Sequence, residues 1–232
     1  MAPRTLLQRL YGAYCLGWFT VLGLAALVVN LFIPGLRGRR WVAGAAARWF
    51  FRGAAIRLVV DGLERLPPTP CVVVANHASY IDGIVAAAAL PPEFAFVIKK
   101  EMVRVPLASL LLRRLGSAFV ERFDRHKGAS DARRVWRLAA SGQSLVFFPE
   151  GTFDGSRRIG QFLGGAFATA ERSNLPIVAV AIHGTREVLP PGTITVRRRS
   201  VRFEILGVLA AEGARQRSRE WIAEAVGEPL AP

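Results

Sequence analysis

Acidic residues, histidine and cysteine are all scarce in this chain. Its 232 residues include 17 aspartates and glutamates against 31 lysines and arginines, with three histidines and two cysteines. Cys15 and Cys71 have no CxxC spacing, which excludes a disulfide framework and a cysteine-based zinc site. They read as small core or lipid-facing residues. The chain has no RNA-binding aromatic pattern and no basic helix running into heptads, so the net charge of +14 does not point to nucleic acid. A surplus of that size still suits a polyanionic neighbour, and an anionic membrane surface is the candidate left. Repeats and low-complexity tracts are also missing. The length allows one α/β domain with a full core.

What the chain does have is one long stretch without charge. From Leu10 to Ile33, "LYGAYCLGWFTVLGLAALVVNLFI" runs for 24 residues. As a helix it would be about 36 Å long, against a bilayer core of about 30 Å. It exceeds the apolar region of a signal peptide. The expectation is a retained anchor that spans or lies in one leaflet; a buried core helix is the other reading. Arg37, Arg39, Arg40, Arg48 and Arg52 follow it, whereas only Arg4 and Arg9 precede it. That bias predicts a membrane-associated protein whose bulk lies on the cytoplasmic face of the inner or plasma membrane. The next segment, "RGRRWVAGAAARWFFRG", mixes arginine with tryptophan and phenylalanine. It reads as an interfacial helix, or as an amphipathic helix packed on the domain. Residues 1–53 are therefore expected to form membrane-anchoring helices, and 54–232 an α/β catalytic domain. Arg197-Arg198-Arg199 is read as a lipid-facing patch or as solvated loop charge.

Beyond residue 54, short apolar runs alternate with helical patterns. Strands are predicted at 56–60, 71–75, 94–98, 117–120, 144–148, 177–182 and 201–206. Helices are predicted near 80–90, 104–115, 128–141, 163–173 and 216–226. Runs that are apolar on both faces and separated by helices predict a mostly parallel central sheet flanked by helices. In such sheets ligands bind beyond the carboxyl ends of the strands. Four predicted strands end in chemically capable residues: Asn76-His77, Glu121-Arg122, Pro149-Glu150-Gly151-Thr152 and His183-Gly184-Thr185.

The first of these strand ends opens the heptapeptide "NHASYID". Histidine titrates near neutrality and can take a proton from a hydroxyl and return it. A carboxylate on its far nitrogen would hold the tautomer. A helix beginning near Ser79 would put Asp82 one turn inside, within reach of His77. With no serine or cysteine nucleophile elbow nearby, direct activation of a substrate hydroxyl is the chemistry the residues favour. A turn-and-cap network between His77 and Asp82 is the alternative that the heptapeptide alone leaves open.

Four blocks in order resemble the glycerolipid acyltransferase family. They are "NHASYID" at 76–82, "GSAFVER" at 116–122, "FFPEGT" at 147–152 and "LPIVAVAIHGT" at 175–185. "FVIKKEMVRVP" at 96–106 is similar to the segment that members carry between the first two blocks. The resemblance covers roughly 70 to 210. It implies transfer of a fatty acyl group from an acyl-CoA or acyl carrier protein thioester to a glycerolipid hydroxyl, with lysophosphatidate as the leading acceptor. It makes His77 the general base and Asp82 its orienting carboxylate. Arg122 is implied to bind the acceptor's phosphate, which a planar guanidinium suits, and Glu150, Gly151 and Thr152 to complete the acceptor site. Asn76, Ser79, Lys99 and Lys100 are expected on the substrate side. The partners implied are a membrane lipid acceptor, the acyl donor and an anionic membrane surface. The chemistry calls for a base and an oxyanion hole, so no cofactor or metal is expected.

The pattern departs from the family after the third block. Many members carry arginine and serine there, and a lysine pair further on. This chain has Phe153 and Asp154, then Leu163 and Gly164. Arg157 and Arg158 are the candidates to restore the charge. An acceptor with another head group, a lysophosphodiester or a lyso-amino-acid lipid, is the alternative this raises. Hydrolysis instead of transfer, a non-catalytic lipid-binding protein on the same fold, and a membrane-bound nucleic-acid binder for which only the charge speaks, are the others.

Overall fold

The computed structural model describes residues 6–121, 125–153 and 155–232. Two helices come first, α1 (Leu6–Phe32) and α2 (Leu36–Gly53). They are followed by β1 (Leu58–Asp61), β2 (Val72–Ala75), α3 (Asp82–Ala89), β3 (Phe94–Lys99), α4 (Pro106–Arg114), β4 (Ala118–Val120) and α5 (Arg125–Ala140). The chain then forms β5 (Ser144–Phe147), α6 (Gly165–Arg172), β6 (Ile177–His183), the single turn α7 (Thr185–Val188), β7 (Val201–Leu209) and α8 (Ala214–Val226). All seven predicted strands and five predicted helices are present, within a few residues of their expected bounds.

The strands form one sheet in the order β1-β7-β6-β2-β5-β3-β4. Every neighbouring pair is parallel except β6 and β7, so the sheet is mixed but mostly parallel. β2 lies near the middle, and its Val72-Val73-Val74-Ala75 is fully buried, as expected of a strand covered on both faces. Alternate residues feed two cores. Val73 and Ala75 pack with Val146, Val178 and Val180 beneath α1, α2 and α3. Val72 and Val74 pack with Ile177 and Ala179 beneath α6 and α8. Ala95, Val97 and Leu145 extend the second side beneath α5.

Caps and breakers explain several helix ends. Pro106 begins α4, where its missing N–H costs nothing. Gly227, with φ 67°, ends α8 in the left-handed conformation glycine tolerates. α1 and α2 are joined by side chains of α1 that donate to backbone carbonyls at the C-terminal end of α2. Tyr11 Oη donates to Ala54 O (2.7 Å), Tyr14 Oη to Gly53 O (3.0 Å) and Trp18 Nε1 to Trp49 O (3.2 Å). A Cβ at Gly53 would collide with the Trp18 indole, so the close approach needs glycine there.

α1 is long and apolar enough to cross a membrane, and only 22% of its most apolar window is buried. Leu7, Leu10, Val21, Val28 and Phe32 are exposed. It is therefore not a buried core helix. Its inner face is packed nonetheless: Cys15 is buried in the core shared with Phe50 and Phe51 of α2. Cys71 is buried too, and burial pushes its thiol up to about 11.

Candidate active site

β2 ends at Ala75, and Asn76 then takes over the hydrogen bonding to β6 with its side chain. Its amide group donates to Ile182 O (2.9 Å), and its Oδ1 accepts from Ile182 N–H (2.8 Å). An asparagine side chain thus replaces a rung of the ladder, and the backbone turns away at His77.

The turn from His77 to Asp82 is organised by one carboxylate oxygen. Asp82 Oδ2 accepts from the backbone N–H of Ala78 (2.7 Å) and of Ser79 (2.8 Å), and lies 2.8 Å from His77 Nδ1. An ionised carboxylate has no proton to give, so Nδ1 carries the hydrogen and Nε2 is left as the basic nitrogen. Asp82 is wholly buried, and its Oδ1 has no protein partner among the described residues. α3 starts at Asp82, not near Ser79 as expected. The carboxylate holds Ala78 and Ser79 in a turn before the helix and does not reach back from inside it. Ser79 is buried, its hydroxyl donating to Leu189 O (2.7 Å).

The His77 ring is held by aromatic contacts that sequence reasoning did not anticipate. Phe148 stacks on it with centroids 4.7 Å apart, and Phe153 meets it edge-on at 4.5 Å. Tyr80 packs against Phe153 at 4.8 Å. The Phe147-Phe148 pair that opens the third block reads as ordinary strand core, and nothing in a single sequence aims Phe148 at His77.

Glu150 braces the same imidazole from the backbone side. Oε1 accepts from His77 N–H at 2.7 Å, and Oε2 from Gly160 N–H at 2.7 Å. Burial outweighs these two amides and raises its carboxyl above the ordinary glutamate value. Gly151 follows with φ 79°, a conformation that favours glycine.

His77 lines an apolar cavity of about 440 Å³. Its walls include Phe19, Leu22 and Ala26 of α1; Ala43, Ala47 and Phe50 of α2; Gly83, Ile84 and Ala87 of α3; Phe94, Phe96 and Ile98 of β3; and Ala108, Leu111 and Leu112 of α4. Tyr80, Lys99, Gly151, Thr152 and Phe153 line it as well. Arg40 is a lining residue whose guanidinium is already occupied, donating to Leu115 O, Glu93 O and Gln143 Oε1. Small residues on α1 and α2, such as Gly23, Ala43 and Ala46, make room for this space. They were the one legible sign that the apolar helices do more than anchor.

The structure brings His77, Asp82, Lys99, Gly151 and Thr152 to this cavity or directly beneath it. Asn76, Ser79 and Glu150 stand behind them, bonded to backbone. Lys100, Arg157 and Arg158 do not line the cavity, and Arg157 pairs with Glu187 at 3.0 Å. Arg122 and Asp154 lie outside the described residues. His183, at the end of β6, pairs with Glu204 at 3.1 Å and does not line the cavity.

At the end of β2 in this mostly parallel sheet, a histidine held by a buried carboxylate stands on the lip of an apolar chamber. The sequence profile of the family described as Acyltransferase matches residues 57–183, more than half of the chain. The chain belongs to that family. It is 33% identical over 136 residues to a chloroplastic 1-acyl-sn-glycerol-3-phosphate acyltransferase of Brassica napus, covering 58% of this chain and 39% of the plant protein. A second chloroplastic protein of that name, from Arabidopsis thaliana, is 32% identical, again over 39% of its length. The match thus spans well under half of these plant relatives. A 1-acyl-sn-glycerol-3-phosphate acyltransferase of Pseudomonas aeruginosa is 29% identical over 192 residues, 78% of this chain and 74% of that one. Among solved structures, the 1-acyl-sn-glycerophosphate acyltransferase of Thermotoga maritima shares the fold with a TM-score of 0.76. That match covers 96% of this chain and 94% of the other at 23% identity.

Proposed function

We propose that the chain is a membrane-associated O-acyltransferase. It moves a fatty acyl group from an acyl-CoA or acyl carrier protein thioester to the free hydroxyl of a lysoglycerophospholipid, with lysophosphatidate as the first acceptor. The names of its relatives support the reaction class. The observation that carries the reading is His77 on the lip of the 440 Å³ apolar cavity, with Nδ1 held by Asp82.

In this reading the acyl chain lies in the cavity and the acceptor hydroxyl meets His77 Nε2. The base takes the hydroxyl proton as the oxygen attacks the thioester carbonyl, and Asp82 stabilises the imidazolium. The tetrahedral intermediate collapses, the C–S bond breaks, and the imidazolium returns its proton to the leaving thiolate. The products are an ester and a free thiol, and His77 is neutral again. Lys99, on the cavity wall, and Arg122 are the cations assigned to the acceptor's phosphate. Residues 1–53 hold the site at the cytoplasmic face of the membrane. Lipid then passes to the cavity without exposing its chain to water, a saving of about 0.8 kcal/mol per methylene.

A different acceptor head group is the second reading, favoured by Phe153. This ring packs on His77, and Arg157 is engaged by Glu187 and not by the cavity. Both readings meet one experiment: thiol release from a long-chain acyl-CoA in mixed micelles. Lysophosphatidate, lysophosphatidylglycerol, lysophosphatidylethanolamine and a lyso-amino-acid lipid are offered separately, with His77→Ala alongside. Release that depends on one acceptor and disappears in the variant supports transfer and names the head group. Activity that survives His77→Ala sinks the mechanism.

A further inference from the structure

α4 sorts its apolar residues onto two faces. Ala108, Leu111 and Leu112, with Leu115 just beyond its end, line the cavity. On the other side Leu107 and Leu110 are 58% and 44% exposed, and Val105, just before the helix, is 48% exposed. The inner face is explained by the chamber; the outer face is covered by nothing among the described residues.

Where α4 sits indicates what covers that face. Arg114 donates from Nε to Asn30 O (2.9 Å) and from Nη2 to Leu31 O (3.0 Å), pinning the end of α4 to the last turns of α1. Leu31 and Phe32 are exposed at that point, and Leu110 lies one helical turn from Arg114. The apolar surface of α1 therefore continues onto α4. Contiguous exposed apolar surface of this kind marks an interaction site. The charge around it has one sign: residues 99–114 include Lys99, Lys100, Arg104, Arg113 and Arg114 against the single acid Glu101. Apolar residues rimmed by cations match a bilayer with anionic head groups.

We propose that the outer face of α4, through Val105, Leu107 and Leu110, docks into the lipid surface as a second membrane-contacting element beside α1. The choice of lipid as occupant rests on the function proposed above. α4 is then a one-helix partition, with bilayer against one side and the chamber against the other.

The test uses the full chain in vesicles of phosphatidylcholine and phosphatidylglycerol. Cys15 and Cys71 are both buried, so Leu107→Cys and Leu110→Cys accept an environment-sensitive fluorophore selectively. Ala168→Cys on α6, exposed on the far side of the sheet, is the control. The expected result at 107 and 110 is a blue shift, quenching by doxyl-labelled lipid and protection from iodide, with the reverse at 168. Iodide quenching at 107 like that at 168 overturns the proposal. Protection from both quenchers also overturns it, because a second copy of the chain would then be the occupant. A functional arm uses the double variant Leu107→Glu, Leu110→Glu. Acyl transfer from vesicles should fall about tenfold, as two leucines lose part of their transfer into lipid. Transfer in detergent micelles should be unchanged. An equal loss in both media would overturn the docking role. The labelling does not depend on turnover, so lipid-facing labels on a protein without acyl transfer would keep this inference and sink the function.

Discussion

Replacing Glu150 with glutamine decides what that carboxylate does. In the wild type its two oxygens each accept a backbone N–H at 2.7 Å, from His77 and from Gly160. Hydrogen bonds to a charged acceptor are worth about 1.5–3 kcal/mol each. Glutamine keeps one acceptor oxygen and sets an NH2 against the other amide, which leaves that donor unsatisfied at a cost of about 1–3 kcal/mol. Against this, the neutral side chain no longer carries the burial cost that raises the Glu150 pKa. A net loss of about 1–2 kcal/mol follows, and for a chain of this size the thermal midpoint should fall by about 2–8 °C. The larger effect is on turnover. His77 loses a backbone brace, and small misplacements of a reacting group cost up to about 10²-fold. Steady-state acyl transfer should show kcat reduced about 10- to 100-fold, with KM for the acceptor nearly unchanged. A raised acceptor KM at normal kcat would refute this reasoning and return Glu150 to the acceptor site. The pH dependence has a defined sign. A carboxyl whose folded pKa is raised binds its proton more tightly in the folded state, so its contribution to folding is fully present below the ordinary glutamate value. That contribution is lost as pH rises through the raised one. The stability of Glu150→Gln relative to wild type should therefore improve across that window, as urea titrations at stepped pH would show.

Asp82→Asn should leave the chain folded but lower kcat by about 10³–10⁴-fold, since the amide cannot stabilise the imidazolium; a loss under tenfold in single-turnover assays would argue against the His77–Asp82 pair as the base. Asn76→Ala strands the N–H and C=O of Ile182 in a buried site, and should cost about 2–4 kcal/mol in denaturant unfolding. Phe153→Ala frees one edge of the His77 ring and opens space beside it. It should lower kcat several-fold while relaxing the preference among acceptor head groups in the micelle assay. Cys71, with its thiol held at about 11, should resist iodoacetamide at pH 8 until the protein is unfolded, by mass spectrometry.

Much of the fold was legible because the strands are short apolar runs between helical patterns. "CVVVA" is buried on both faces in the structure, as a continuous run in a central strand should be. The direction of β7 was not legible. Its residues alternate, Val201, Phe203 and Ile205 inward and Arg202 and Glu204 between them. Alternation says which face is buried, not which way the strand runs beside β6. The proximity of His77 and Asp82 was readable from five residues of spacing, but the form of the turn was not. The helix start depends on where one carboxylate oxygen finds two backbone amides. Phe148 and Phe153 reach the histidine, and Gly160 reaches Glu150, only through the fold, so no local pattern could name them. Lys100 and Arg157 failed to join the cavity for the opposite reason: being charged and close in sequence does not fix where a side chain ends.

The cavity beside His77 is walled in part by Phe19 and Ala26 of α1 and by Ala47 and Phe50 of α2. A tether can be cut from its cargo, but a wall cannot be cut from its vessel. Trimming the apolar N-terminus to obtain a more tractable protein would open one side of the chamber and let solvent flood it. It would also expose the part of the core that Cys15, Phe50 and Phe51 now cover. Exchange of the first 53 residues between relatives would bring with it a new chamber contour.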